Sequence, residues 1–188
     1  MISTTRQKTM STVNIVMIAL FAAILCVISP FSIPIGPIPL SLATFVIYVS
    51  LFFLGWKRGM IACLAYLIIG LAGVPVFTGF SGGIGKLAGP TGGYLIGYIF
   101  VALIAGIFIE KYEKSIVLCL VGLVLGTVVL YAFGTAWFCL STGSHLGAAL
   151  ALCVLPFIPG DCIKIVSASL IGQSVKKQLK KSGRDIQG

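Results

Sequence analysis

Ile116-Val-Leu-Cys-Leu-Val-Gly-Leu-Val-Leu-Gly-Thr-Val-Val-Leu-Tyr-Ala-Phe-Gly-Thr-Ala-Trp-Phe-Cys-Leu140 contains no ionisable carboxylate, ammonium, guanidinium or imidazole. A helix needs about 20 predominantly apolar residues to cross the hydrocarbon of a bilayer, so this segment is long enough to span one. The rest of the chain has the same character. Apolar residues make up 59% and charged residues 9% of the 188, and the mean hydropathy is +1.14. That composition excludes a water-soluble domain.

Cutting outward from this segment at Gly, Pro and charge clusters gives apolar runs near residues 13–29, 40–56, 60–73, 93–109, 116–140 and 159–175. The expected fold is therefore all-α: about six transmembrane helices in one bundle, with residues 1–188 forming a single membrane-embedded domain. Run 60–73 is short, so it is expected to continue into the glycine-rich segment after it or to be shielded by its neighbours. The segment Met1–Thr12 carries Arg6 and Lys8 ahead of an apolar run, yet no small-residue cleavage site follows. It reads as the approach to the first helix and not as a cleaved leader.

Charge placement orients this bundle. With both termini cytoplasmic, Arg6, Lys8, Lys57, Arg58, Lys111, Lys114, Lys176, Lys177, Lys180, Lys181 and Arg184 fall on the inner side, leaving Lys86 and Lys164 of the 13 basic residues elsewhere. The net charge of +9 thus signals orientation and attraction to anionic head groups, with no support for nucleic-acid binding. Cys26, Cys63, Cys119, Cys139, Cys153 and Cys162 lie in apolar runs without metal-ligand spacing and read as small buried residues.

The outward connections are dense in Pro and Gly. The first, Ser29-Pro-Phe-Ser-Ile-Pro-Ile-Gly-Pro-Ile-Pro39, holds four prolines, which favour a stiff extended path suited to a lid, a wall or a rigid connector. Residues 70–94 are rich in glycine, whose bare backbone can approach a ligand closely. Gly85-Lys86 is not part of a Walker A loop, because Phe80 stands where glycine is needed and Leu87 where Ser or Thr is needed. Any ATP hydrolysis that drives transport must come from another polypeptide.

The last run opens Leu155-Pro-Phe-Ile-Pro-Gly-Asp-Cys-Ile-Lys164. Pro159 suits a first helical turn, which puts Asp161 and Lys164 three residues apart on one face. Charges in a membrane helix belong in the bundle interior or a polar cavity. Two readings remain: a pair that neutralises itself, with Lys164 snorkelling to the interface, or a ligand site where an acceptor, a cation, loop backbone and aromatic walls meet.

Gly73-Val-Pro-Val-Phe77, Gly79-Phe-Ser-Gly-Gly-Ile-Gly85, Gly89-Pro-Thr-Gly-Gly-Tyr-Leu-Ile-Gly97 and Phe157-Ile-Pro-Gly-Asp-Cys-Ile-Lys164 together resemble the signature segments of the BioY family, the biotin-binding S components of energy-coupling factor transporters. The resemblance covers nearly the whole chain. It implies a multi-pass subunit of the bacterial cytoplasmic membrane that captures biotin outside and works with one transmembrane coupling protein and two ATPase subunits, with biotin as transported ligand and no cofactor. The small residues Ala19, Ala22 and Ala23 on the first helix match the family's coupling-protein contact. Pro39-Leu-Ser-Leu-Ala-Thr44 departs from the family pattern: Ser41 replaces threonine and Ala43 replaces glutamine, so if that amide contacts ligand in relatives, Thr44 or backbone groups must substitute here.

Biotin offers two ureido N–H donors, a urea oxygen, an apolar sulfur ring and a carboxylate. The implied roles are acceptance of ureido N–H groups by Asp161 and donation by Lys164 to the urea oxygen or the carboxylate. Phe77, Phe80, Tyr94 and Tyr98 either bracket the rings or pack the core. Gly92, Gly93, Ser81 and Thr44 complete the candidate contact set.

Two other classes have less in the sequence to support them. A self-contained secondary transporter or channel needs an ion-coupling site, and Asp161 is the one carboxylate inside an apolar run. An enzyme would have to use Ser141, Ser144 and His145 in the fifth connection or a metal site, for which one His is too few.

Overall fold

The computed structural model describes residues 11–34 and 38–181. Arg6, Lys8 and Arg184, and the tip of the first connection at residues 35–37, lie outside the described residues, as do the side chains of Pro34, Lys180 and Lys181. The elements run α1 (Thr12–Ile28), β1 (Ser32–Pro34), β2 (Pro39–Ser41), α2 (Ala43–Leu71), α3 (Ile84–Ala88), α4 (Gly92–Lys111), α5 (Ile116–Thr142), α6 (Leu146–Cys153) and α7 (Ile158–Lys181). Among the described residues, three helices are long and apolar enough to cross a membrane, or four if the bent pair α6 and α7 forms one span.

Helix α2 takes in most of both expected runs, 40–56 and 60–73, and it is not straight. Gly55 breaks it with φ 70° and ψ −177°, a backbone state that glycine tolerates and L side chains do not. Ser41 Oγ donates to the Ser29 carbonyl at 3.3 Å, and Ser29 Oγ lies 2.5 Å from Tyr66 OH. A straight helix from Ala43 to Tyr66 would separate its ends by about 35 Å. The chain therefore reverses at Gly55, and Gly59 closes the hairpin: a Cβ there would stand 2.6 Å from Leu51 Cδ2.

Helices α4 and α5 form a close antiparallel pair because each carries glycines where the other carries bulk. Gly93 abuts Trp137, Gly97 abuts Leu130, Gly122 abuts Phe108 and Gly134 abuts Tyr94, the small-residue logic of helix contact in lipid. The core between this pair and α2 includes Leu25, Ile47, Tyr48, Leu51, Tyr66, Val101 and Leu123, all fully buried.

The proline-rich connection forms an antiparallel hairpin that pairs Ser32 with Ser41 and Pro34 with Pro39. The glycine-rich segment is tied to it by Gly79 N–H donating to the Pro30 carbonyl at 3.0 Å, and to α2 by Gly83 N–H donating to the Gly70 carbonyl at 2.7 Å.

Cys162 departs from the expected cysteine burial, being exposed on the outside of α7. In a lipid-facing helix this is an ordinary place for a small apolar side chain. Ala22 is buried against α2, whereas Ala19 and Ala23 are exposed. The three alanines thus occupy two faces of α1.

Candidate functional site

Helix α7 begins at Ile158, so Pro159 sits in the first turn where its missing N–H costs no bond. Asp161 follows in that turn, where the unsatisfied N–H groups of the helix start favour an anion. Its N–H donates to the Phe157 carbonyl at 2.8 Å, and Lys164 lies one turn further on the same face.

Both charges are buried, Asp161 at 5% and Lys164 at 8% exposure. Lys164 Nζ donates to Asp161 Oδ1 at 2.8 Å, to the Ser41 carbonyl at 2.7 Å and to Thr44 Oγ1 at 3.2 Å. Three partners match the three donors of an ammonium. Asp161 Oδ2 accepts from Tyr131 OH at 2.5 Å. A buried pair is tolerated only when its remaining lone pairs and protons are met in this way, and meeting them joins β2, the start of α2, α5 and α7 around two side chains. That arrangement rules out Lys164 snorkelling to the interface.

These groups border a narrow cavity of about 50 Å³, space for a few water molecules. Its polar side is Asp161, Lys164, Thr44, Thr78, Thr91 and Tyr131; Ile38, Leu40, Leu95 and Phe157 supply much of its apolar side, with Tyr94 and Tyr98 between. Tyr94 OH also donates to the Cys153 carbonyl at 3.3 Å, which ties α4 to α6. To admit anything larger than a few water molecules, these walls must part, and Ile38 and Leu40 of the proline-rich connection are among them.

Of the residues expected from the sequence, Asp161, Lys164, Thr44, Tyr94 and Tyr98 line this cavity. The others stand apart from its lining. Phe77 is fully buried with its ring against Tyr66, at 5.5 Å between centroids. Phe80, at φ 55°, turns its ring outward onto Phe31 at 5.4 Å. Ser81 Oγ donates to the Thr78 carbonyl at 2.8 Å. Gly92 and Gly93 make room for the Leu87 carbonyl and for Trp137, a packing role.

Sequence reasoning missed Tyr131, Thr78, Thr91 and the Ser41 carbonyl. A tyrosine in the middle of an otherwise apolar span is a signal that its hydroxyl needs a partner; a backbone carbonyl leaves no such signal. Ala43, where the resemblance leads to the expectation of a glutamine, is fully buried, and the polar contacts beside it come from Thr44 and Ser41. In the fifth connection, Ser141 Oγ donates to the Phe138 carbonyl of its own helix at 3.1 Å and His145 is exposed, so no nucleophile and base are brought together there.

Comparison with known proteins gives a consistent result. The biotin transporter BioY of Thermotoga maritima is 40% identical over 159 residues, covering 84% of this chain and 92% of that protein. A probable biotin transporter BioY of Pyrococcus horikoshii is 38% identical over 160 residues, covering 85% and 94%. A solved structure described as the S-component for biotin from an ECF-type ABC transporter superposes with a TM-score of 0.82 at 31% identity, covering 87% of this chain and 90% of that one. The model of the BioY family matches residues 4–181, and with this fold and these relatives the chain belongs to the BioY family.

Proposed function

We propose that this chain is the biotin-binding S component of an energy-coupling factor transporter, a binding subunit and not an enzyme. The observation that carries the reading is the convergence of Asp161, Lys164, Tyr131 and Thr44 on one buried cavity in a chain whose relatives are named as biotin transporters. The cluster presents anionic acceptors and cationic donors within a few ångströms, which suits a urea with N–H donors on one edge and an oxygen on the other. Ureido N–H groups take over the acceptor capacity of Asp161, while Lys164 turns a donor to the urea oxygen or to the carboxylate.

The six-crossing reading is supported by α1, the two halves of α2, α4, α5 and α7. Lys57, Arg58, Lys111, Lys114, Lys176 and Lys177 belong to turns or helix ends on the side away from the cavity, which the positive-inside rule makes cytoplasmic. The cavity then faces outward in a cytoplasmic membrane. Energy comes from a coupling protein and two ATPase subunits, and the exposed Ala19 and Ala23 of α1 are available for the coupling contact.

The test is reconstitution in sealed vesicles. With the chain alone, vesicles are expected to bind biotin without accumulating it; adding the energising module and ATP should produce uptake. Accumulation driven by an ion gradient in the absence of the module would make the chain a secondary transporter instead.

A further inference from the structure

A second polar cavity, of about 430 Å³, lies at the opposite end of the bundle between α2, α4, α5 and α7. It stands about 22 Å along α7 from Asp161, the rise of the fifteen residues to Lys176. Its floor is apolar, formed by Phe52, Ile109 and Cys119, and its rim carries Lys114, Lys176 and Lys177. Glu113, the one acid in the lining, is paired with Lys176 at 3.3 Å. Among the described residues, Gln173 Nε2 is buried without a full hydrogen bond, the weakly accepting Cys119 sulfur being its side-chain neighbour, and Gln173 lines this cavity too. A buried donor so weakly met is expensive and calls for an acceptor.

The unspent capacity here is all of one kind: cationic and neutral N–H donors above an apolar floor, at the depth where a bilayer's inner head groups meet its hydrocarbon. What complements it is an anion rich in acceptor oxygens that also carries an apolar chain. Basic cavities between transmembrane helices on the cytoplasmic side recognise lipid head groups by this chemistry. We propose that this cavity binds the phosphate of an anionic glycerophospholipid of the inner leaflet, with Gln173 Nε2, Lys114 and Lys177 as donors and the acyl chain running out over Phe52 and Ile109. The inference rests on the membrane orientation given above and is independent of biotin.

Native mass spectrometry and thermal unfolding of the purified full chain test it, with phosphatidylglycerol, phosphatidylcholine and inorganic phosphate as probes. One saturable phosphatidylglycerol per chain is expected, retained over phosphatidylcholine and raising the unfolding midpoint. Lys114→Gln and Lys177→Gln should each weaken retention about fivefold. Gln173→Leu, which removes this buried nitrogen, should raise the midpoint in lipid-free detergent and abolish the further gain from phosphatidylglycerol. Biotin affinity should stay within twofold in all three. Equal losses in a Lys57→Gln, Arg58→Gln control would overturn the site in favour of diffuse surface charge. Stabilisation by inorganic phosphate as large as by the lipid would overturn the head-group assignment, and so would normal lipid retention in variants that no longer join the energising module.

Discussion

Helix α7 holds two ion pairs, and they differ in almost everything except their chemistry. Asp161–Lys164 is local, one turn apart at 2.8 Å, with side chains 8% and 9% exposed; beyond the pair itself, β2 and α2 take the other two donors of Lys164, and α5 donates to the second oxygen of Asp161. Glu113–Lys176 joins the turn after α4 to α7 at 3.3 Å, with Lys176 11% and Glu113 29% exposed. The first pair has been taken out of water and repaid by geometry; in the second the ammonium is buried and the carboxylate is still partly solvated. Burial, and not the presence of opposite charges, is what makes a pair able to exchange its partners for those of a ligand with a large effect on affinity.

Breaking the first pair should produce the largest change. Asp161→Asn and Lys164→Ala are each expected to cost about 3 kcal/mol of stability, because each strands a buried charge, and to weaken biotin binding by at least about a hundredfold. The doubly apolar variant Asp161→Leu, Lys164→Met should unfold at a higher temperature than either single variant while still failing to bind. Thermal midpoints beside equilibrium binding check both statements.

Next in size is the scaffold that holds α5 against the site. Gly93→Ala sets a methyl group against Trp137 and should cost about 1–3 kcal/mol by overpacking, read as a fall in the unfolding midpoint. Tyr131→Phe removes one hydrogen bond to a carboxylate and leaves the ring. A loss of about tenfold in biotin affinity is expected, with about 1–3 kcal/mol of stability lost because Asp161 Oδ2 is left without its donor; titration with labelled biotin and the unfolding midpoint measure the two. The smallest effect belongs to the second pair: Glu113→Gln should cost under about 1 kcal/mol, an effect that salt screens, and leave biotin affinity within twofold. If Glu113→Gln proved as damaging as Asp161→Asn, the contrast between the two pairs would collapse.

The two pairs also mark what can be read from sequence. Asp161 and Lys164 stand out because both lie in one apolar run at helical spacing. Glu113–Lys176 is invisible, since nothing local relates residues so far apart in the chain. Helices α4 and α5 are legible as long uncharged runs, and the reversal inside α2 is marked by Lys57-Arg58, although the residue that makes the turn, Gly55, is one glycine among the chain's 23. The β1–β2 hairpin reads only as stiff extended chain, because prolines fix backbone angles without specifying a partner strand.

Within the site, the aromatic and glycine-rich segments contribute less to the cavity than their sequence suggests. Phe77 and Phe80 sit near the cavity in sequence terms, but the left-handed turn at Gly79 and Phe80 sends one ring inward and the other out. Ala22 differs from Ala19 and Ala23 for a comparable reason: about 100° separates successive side chains around a helix, so adjacent alanines need not share a face.

The central claim, that the Asp161–Lys164 cluster is a biotin capture site, is tested most directly by equilibrium binding of labelled biotin to the purified chain. Saturable binding of one biotin per chain, with a Kd of about nanomolar order and strongly weakened in folded Asp161→Asn and Lys164→Ala proteins, is the predicted result. No saturable binding by the unaltered chain, or unchanged affinity in both variants, would contradict it.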